Sequence, residues 1–310
     1  MPDEPRVHVD DSHGAPGVTL SAGRLAASFL PSVGMLGVSL RRDGLEYVAL
    51  PDGVAGFRSG HTTGIPLLHP WANRLAKGEY RVERARVDLA GLDVHRDGKG
   101  LPMHGTMVGP LRWSVVRAGP TGRRAVLSTT FDHGRDDTAR FRAFPFPHRL
   151  TITASLGADA LEITTTVEPT GRRAVPISFG FHPYFTLPGV ARRDWSVELP
   201  SCTQIDLDDR GIPTGQTSQV RGGDVALEGR TFDDHYRLHR ERRLAISGGG
   251  RRLEVRIGRG YEFTQVYAPP RHAFTALEPM TAATNALVTG DHPTVSPGDR
   301  YRATFTVLPS

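Results

Sequence analysis

The chain is expected to be all-β, a large and predominantly antiparallel β-sandwich, on three observations. Apolar and polar residues alternate with a period of two over long runs. The 35 glycines and 24 prolines interrupt nearly every window that would otherwise form an amphipathic helix. Short clusters of turn-forming residues, not helix-length connections, separate the alternating runs.

Taken in order, residues 1–17 are polar and Gly/Pro-bearing and read as a loose N-terminal arm ahead of a single domain over 18–310. Arg123-Arg124 follow a glycine and precede an alternating run, which places them at a hairpin tip. Arg172-Arg173 and Arg251-Arg252 have the same setting. Asp132 to Ala139 reads as a polar loop. From Arg149 to Leu156, the residues Leu150, Ile152, Ala154 and Leu156 share one face, with Arg149, Thr151, Thr153 and Ser155 on the other. Gly157-Ala158-Asp159 turns the chain, and Leu161, Ile163, Thr165 and Val167 then repeat the pattern. Gly248-Gly249-Gly250 is a further turn. The runs Leu253-Val255-Ile257, Phe263-Gln265-Tyr267 and Tyr301-Ala303-Phe305-Val307 complete the strands. No Ser/Gly linker or shift in composition divides the chain.

Composition excludes several classes. Hydrophobic content of 38% and charged content of 23% suit a soluble globular protein. Cys202 is the one cysteine, so no intrachain disulfide forms; an inert buried thiol is the expectation. The start carries no apolar core of signal-peptide type. The longest stretch without Asp, Glu, Lys or Arg, from Ala174 to Ala191, is broken by Pro176, His182, Pro183 and Pro188, so no membrane span is expected. The expected location is cytoplasmic. A net charge of +5 invites a nucleic-acid partner, but lysine occurs only at Lys77 and Lys99 and the arginines are scattered among acids. No nucleic acid is expected.

There is no Walker loop, dinucleotide fingerprint, His-Glu-x-x-His helix or nucleophile elbow. His235 and His239 have helical metal-ligand spacing but lie in a strand-like context, so no metal and no cofactor is expected. What remains is a set of polar groups in apolar or Gly/Pro-rich surroundings: Asn73-Arg74, His104-Gly105, His182 within Ile177 to Phe185, and Glu278 between Leu277 and Pro279. An imidazole with an ordinary pKa near 6.5 and a partly desolvated carboxylate form a complementary acid and base. Arg74 offers planar hydrogen bonds to vicinal hydroxyls, and Asp233 or Asp234 accepts from them.

Gly64-Ile65-Pro66-Leu67-Leu68-His69-Pro70-Trp71-Ala72-Asn73-Arg74 with Gly78-Glu79-Tyr80, His104-Gly105 followed by Trp113, Phe181-His182-Pro183-Tyr184-Phe185, and Glu278-Pro279-Met280-Thr281 followed by Asn285 resemble the aldose 1-epimerase (galactose mutarotase) family in family order. Phe232-Asp233-Asp234-His235-Tyr236 is similar to the family's Asp-containing strand. The matches span residues 64 to 290. The resemblance implies a β-supersandwich in which His182 is the general acid, Glu278 the general base and His104 a second active-site histidine. Asn73, Arg74, Asp233 and Tyr184 then bind the sugar. Asp233 is preferred over Asp234 because Tyr236 then fits the family aromatic. Two positions depart from the pattern: Met103 stands where a polar residue is expected, and Thr106 where glycine or an apolar residue is common.

The implied reaction interconverts the α and β anomers of a free hexose. Glu278 takes the anomeric hydroxyl proton, His182 protonates the ring oxygen, and rotation and reclosure give the other anomer. On that scheme the rate falls in acid as Glu278 protonates and in alkali as His182 loses its proton. The implied partner is a small-molecule sugar, and the protein is a monomer or homodimer. A hexose-6-phosphate epimerase and a non-catalytic carbohydrate-binding protein are the alternatives.

Overall fold

The computed structural model describes residues 4–11, 13–134 and 138–310. Almost all pairing is antiparallel. A nine-stranded sheet runs Gly223–Ala226, Ser196–Leu199, Arg243–Gly248, Arg251–Ile257, Tyr301–Pro309, Leu161–Pro169, His148–Leu156, Arg124–His133 and Ser114–Thr121. The hairpin expected around Gly157-Ala158-Asp159 is there, with Leu156 opposite Leu161 and Arg149 opposite Glu168. Leu150, Ile152 and Leu156 on one strand and Leu161, Ile163 and Val167 on the next are buried. Each contributes about 1.5–3 kcal/mol by leaving water. The C-terminal strand lies mid-sheet, between Leu161–Pro169 and Arg251–Ile257.

An eight-stranded sheet carries the chemistry. Its path is Pro213–Val220, Cys202–Leu207, Phe232–Leu238, Phe263–Ala268, Thr275–Met280, Gly180–Phe181 and Leu67–Leu68, with Tyr184–Phe185 also paired to Thr275–Met280. Register decides which side chains share a face. Asp233 lies opposite Tyr267, His235 opposite Gln265, and Gln265 opposite Glu278. Alternation then puts Asp233, Gln265, Tyr267 and Glu278 on one face, and Asp234, Val266 and Leu277 on the other. Phe263–Ala268 and Thr275–Met280 are buried on both faces apart from half-buried Tyr267, so the clean alternation of a half-exposed strand is lost there.

A five-stranded meander, Arg6–Asp10, Gly17–Ala22, Leu25–Leu30, Leu36–Arg42 and Leu45–Glu46, precedes both sheets. It corrects the expectation of a loose arm over 1–17. Arg6–Asp10 pairs along its whole length with Gly17–Ala22, and Thr19 Oγ1 donates to Asp10 Oδ2 at 2.9 Å. Residues 1–3 and 12 lie outside the described residues. The polar loop expected over 132–139 is likewise displaced: Asp132 and His133 end a strand, paired with Arg149 and His148. Thr138–Phe141 is a short helix, and 135–137 lie outside the described residues. Arg124 and Arg251 do open strands after tight turns. Arg172-Arg173 do not, because the chain leaves the large sheet there and Val175–Pro176 pairs with Thr294–Val295.

One apolar cluster reaches from Val18 to Val307 and joins the sheets. Cys202 is buried within it, which pushes its thiol up to about 11. Among the described residues no helix is long and apolar enough to cross a membrane.

Candidate active site

A cavity of about 260 Å³ opens on the polar face of the eight-stranded sheet. Glu278, Gln265, Tyr267 and Asp233 reach it from three adjacent strands, and His182 and Tyr184 from the short strand ends beside them. Thr62, Asn73, Arg74, Met103 and His104 close it from loops. All seven residues singled out from the sequence, His182, Glu278, His104, Asn73, Arg74, Asp233 and Tyr184, therefore line one space. Asp234 does not line it; Gln204 Nε2 donates to its carboxylate at 3.2 Å on the other face.

The loops are held by backbone pairing in an unusual conformation. Asn73 and His104 both adopt positive φ, 54° and 61°. Each such residue costs on the order of 1–3 kcal/mol and persists only where its surroundings enforce it. Here His104 N–H donates to Asn73 O at 2.9 Å, and Leu75 N–H donates to Pro102 O at 2.9 Å. Gly105, also at positive φ, passes so close that an added Cβ would sit 2.1 Å from the carbonyl oxygen of His69. Only glycine fits, which explains His-Gly as a unit.

A chain of polar contacts orders the floor. Arg74 Nη1 donates to Asn73 Oδ1 at 3.0 Å, Asn73 Nδ2 to Gln265 Oε1 at 3.3 Å, and Gln265 Nε2 to Asp233 Oδ1 at 2.7 Å. Arg74 Nε pairs with Asp97 Oδ2 at 2.7 Å. Tyr184 stacks on the His182 ring, centroids 4.5 Å apart and planes 16° apart, and its hydroxyl shares a 2.6 Å hydrogen bond with Thr62. In this arrangement Tyr184 braces the imidazole as well as lining the cavity.

At the centre, His182 Nε2 lies 3.3 Å from Glu278 Oε1, both groups buried. Burial lowers His182 to about 4, and burial followed by the nearby Asp233 carboxylate raises Glu278 well above its usual range, with Arg74 opposing. Burial and then His182 hold His104 well below its ordinary value. Both shifts favour the neutral forms, so Glu278 keeps its carboxyl proton to higher pH than an ordinary carboxyl and His182 takes a proton only at lower pH than an ordinary imidazole. These directions run opposite to the charge states behind the pH dependence expected from the sequence. In acid the pair gains a proton on His182, and in alkali it loses the proton of Glu278. His104 meets His182 edge-on, centroids 5.5 Å apart.

Sequence reasoning missed Gln265, Tyr267, Thr62, Met103 and Asp97 as site residues. A glutamine between Phe263 and Tyr267 on the apolar side of a strand was the available signal for Gln265. Asp97 gave none. Tyr236, used to choose between the two aspartates, is buried and does not line the cavity.

His235 and His239 do not converge. His235 is buried against Phe263, whereas exposed His239 meets the Thr203 hydroxyl at 2.9 Å. Metal-ligand side chains do gather elsewhere, at His69, His133 and His148 in the core, which spacing along the chain does not reveal.

The aldose 1-epimerase family model matches residues 17–307, so the chain belongs to that family. No curated protein matches it in sequence. Among solved structures, it is similar to a galactose mutarotase-like protein from Clostridium acetobutylicum at 17% identity and TM-score 0.86, covering 98% of each chain. The Slr1438 protein from Synechocystis sp. PCC 6803 is similar at 21% identity and TM-score 0.75, covering 100% of this chain and 97% of that one. Galactose 1-epimerase from Lactobacillus acidophilus NCFM is similar at 14% identity and TM-score 0.77, covering 95% of this chain and 94% of that one. The fold is that of the galactose mutarotases.

Proposed function

We propose that this member of the aldose 1-epimerase family interconverts the α and β anomers of a free aldose by acid–base ring opening. The observation that carries the reading is the buried His182–Glu278 pair, 3.3 Å apart on the floor of a cavity sized for one small molecule. A volume of about 260 Å³ lies just below the roughly 300–1,000 Å³ typical of drug-sized sites.

The pair is neutral overall whether its proton sits on the carboxyl or the imidazole. Sugar hydroxyls entering the cavity donate to the carboxylate form of Glu278 and favour transfer of that proton to His182. Glu278 then takes the proton of the anomeric hydroxyl while His182 delivers its own to the ring oxygen. The C1–O5 bond breaks, C1=O1 forms, and the pair again holds one proton. After rotation about C1–C2 the same transfers run in reverse and close the ring on the other face. Acid and base catalysis of this kind contributes about 10²–10⁴-fold for each positioned group. Arg74, Asn73 and Asp233 hold the other hydroxyls, and His104 orients the sugar at its ring-oxygen side.

The space beyond Arg74 and Asp233 supports an unphosphorylated substrate. A second cavity of about 770 Å³ adjoins there, lined by Asp97, Asp206, Asp208, Asp209, Asp233 and Asp234 against Arg74, Lys99 and Arg210. Six carboxylates facing three cations repel a phosphate dianion.

Polarimetry on freshly dissolved α-D-glucose and α-D-galactose, with their 6-phosphates in parallel, tests the reading. Acceleration of mutarotation for a free sugar is expected. Binding of both sugars without acceleration would leave a carbohydrate-binding protein, and faster turnover of a 6-phosphate would overturn the substrate assignment.

A further inference from the structure

We propose that His69, His133 and His148 form a site for a borderline divalent transition-metal ion of the Zn²⁺ class, separate from the sugar cavity. The three imidazoles are buried, and one ligand-capable atom from each lies within 4.8 Å of the others. His69 Nε2 donates a 3.1 Å hydrogen bond to His148 Nε2, a hydrogen that a bound ion would replace, although the residues are 79 apart in sequence. Two nitrogens bound tetrahedrally to one ion at about 2.0–2.1 Å would stand roughly 3.4 Å apart, so this pair is already close to that spacing.

Two of the rings are oriented as metal-bound histidines are. His148 Nδ1 donates to the carbonyl of Phe146 at 2.6 Å, and His133 Nε2 donates to the carbonyl of Phe144 at 2.9 Å. A carbonyl only accepts, so those nitrogens carry the hydrogen. In the neutral rings the lone pairs are then on His148 Nε2 and His133 Nδ1. A backbone carbonyl fixing the outer nitrogen is the usual support of a histidine ligand. Among the described residues no carboxylate joins the cluster, and three imidazoles suit Zn²⁺, Co²⁺, Ni²⁺ or Cu²⁺ over Mg²⁺ or Ca²⁺. Phe144 and Phe179 pack against His69 and keep the surroundings apolar.

A cavity of about 460 Å³ lies beside the cluster, with Asp132, His133, Phe141, Pro147 and Arg149 on its wall; of the three histidines His133 alone lines it. The site also has something to fasten. His133 and His148 are register partners at the end of their hairpin strands, on the nine-stranded sheet. His69 begins the segment that runs to Asn73 and Arg74, and its carbonyl accepts the N–H of Thr106, two residues beyond His104. The ion would clip the sugar-binding loops to the large sheet and take no part in the proton transfers.

The test uses tag-free protein purified without metal-affinity resin. Elemental analysis should give about one transition-metal ion per chain. Protein stripped by a chelator should regain one equivalent of Co²⁺ with the visible bands of a four-coordinate site. Its melting temperature should rise with Zn²⁺ and not with Mg²⁺. His133→Gln and His148→Gln should each weaken Co²⁺ binding at least about tenfold, while the exposed-residue control His239→Gln should not. Absence of bound metal together with no Co²⁺ spectrum and no Zn²⁺-dependent melting shift in the wild type would overturn the proposal. So would unchanged affinity in both folded cluster variants. None of these readouts depends on mutarotation.

Discussion

Glu278→Gln should make the protein more stable and nearly inactive. The Glu278 carboxyl is buried and its pKa is raised well above 4.5 by burial and by Asp233. The fold therefore keeps the carboxyl proton to higher pH than the unfolded chain does, and over that window the folded state binds more protons. Stability is therefore greatest below pH 4.5 and is lost as pH rises towards the raised value. At pH 7 the loss has a ceiling of about 3 kcal/mol, the free energy of holding a carboxyl neutral two and a half pH units above its ordinary pKa. The amide is isosteric, neutral at every pH, and donates to His182 Nε2 in place of the carboxyl proton. The variant should gain about 1–3 kcal/mol at pH 7, roughly 2–5 °C in Tm for a chain of this size. The advantage should shrink to less than about 1 kcal/mol at pH 5. Turnover should fall by about 10²–10⁴-fold with sugar binding largely kept. Denaturant titrations at the two pH values, with polarimetry on the same preparation, measure both effects. A variant less stable than wild type at pH 7, or equally favoured at pH 7 and pH 5, would refute the claim that the fold holds this carboxyl neutral.

His182→Asn should depress kcat more than it raises KM, because the amide supplies no proton, whereas His104→Gln should keep measurable turnover and act mainly on KM; the reverse result would exchange their roles. In wild-type kcat/KM against pH, the acid limb should lie near pH 4, where His182 takes a second proton, and the alkaline limb should mark deprotonation of Glu278. That acid limb should move in His182→Asn and stay in His104→Gln. Buried His235 is lowered to about 4, so its contribution is harmless above pH 6.5 and destabilises by about 2 kcal/mol at pH 5. His235→Gln should remove that acid sensitivity in denaturant midpoints compared at pH 7 and pH 5. Gly105→Ala should lower Tm and raise KM, because the new methyl meets the His69 carbonyl and forces apart the loops bearing Asn73 and His104; an unchanged Tm would remove the argument for glycine there.

Strands flanked by tight turns were legible because their chemistry is local. Leu150 through Val167 alternates, reverses at Gly157-Ala158-Asp159 and alternates again, and the hairpin follows. The short strands Leu67–Leu68 and Gly180–Phe181 carry no period and exist only through pairing with partners distant in sequence. Arg6–Asp10 was hidden by its polar composition, since an edge strand needs few apolar residues. The ionisable core of the site was readable because His182 and Glu278 sit in apolar runs where a charge has no structural use. Asp97 and Thr62 lie in ordinary loops, and nothing in their neighbours distinguishes them from solvated turns. The histidine cluster shows the same limit from the other side: its members are brought together by sheet register, which spacing along one chain does not encode.

The position of Tyr301–Pro309 in the middle of the nine-stranded sheet has a consequence for how the protein is made. During vectorial synthesis, Ser114–Thr121 through Leu161–Pro169 emerge first and can pair as a four-stranded ribbon. Gly223–Ala226, Ser196–Leu199, Arg243–Gly248 and Arg251–Ile257 emerge later and form a second. Until residue 309 clears the ribosome, each ribbon presents a bare, apolar inner edge, and the two edges are complementary to one strand that does not yet exist outside the tunnel. Nascent chains stalled near residue 295 should therefore be strong clients for chaperones that shield unpaired strands, and two such chains have the means to join edge to edge.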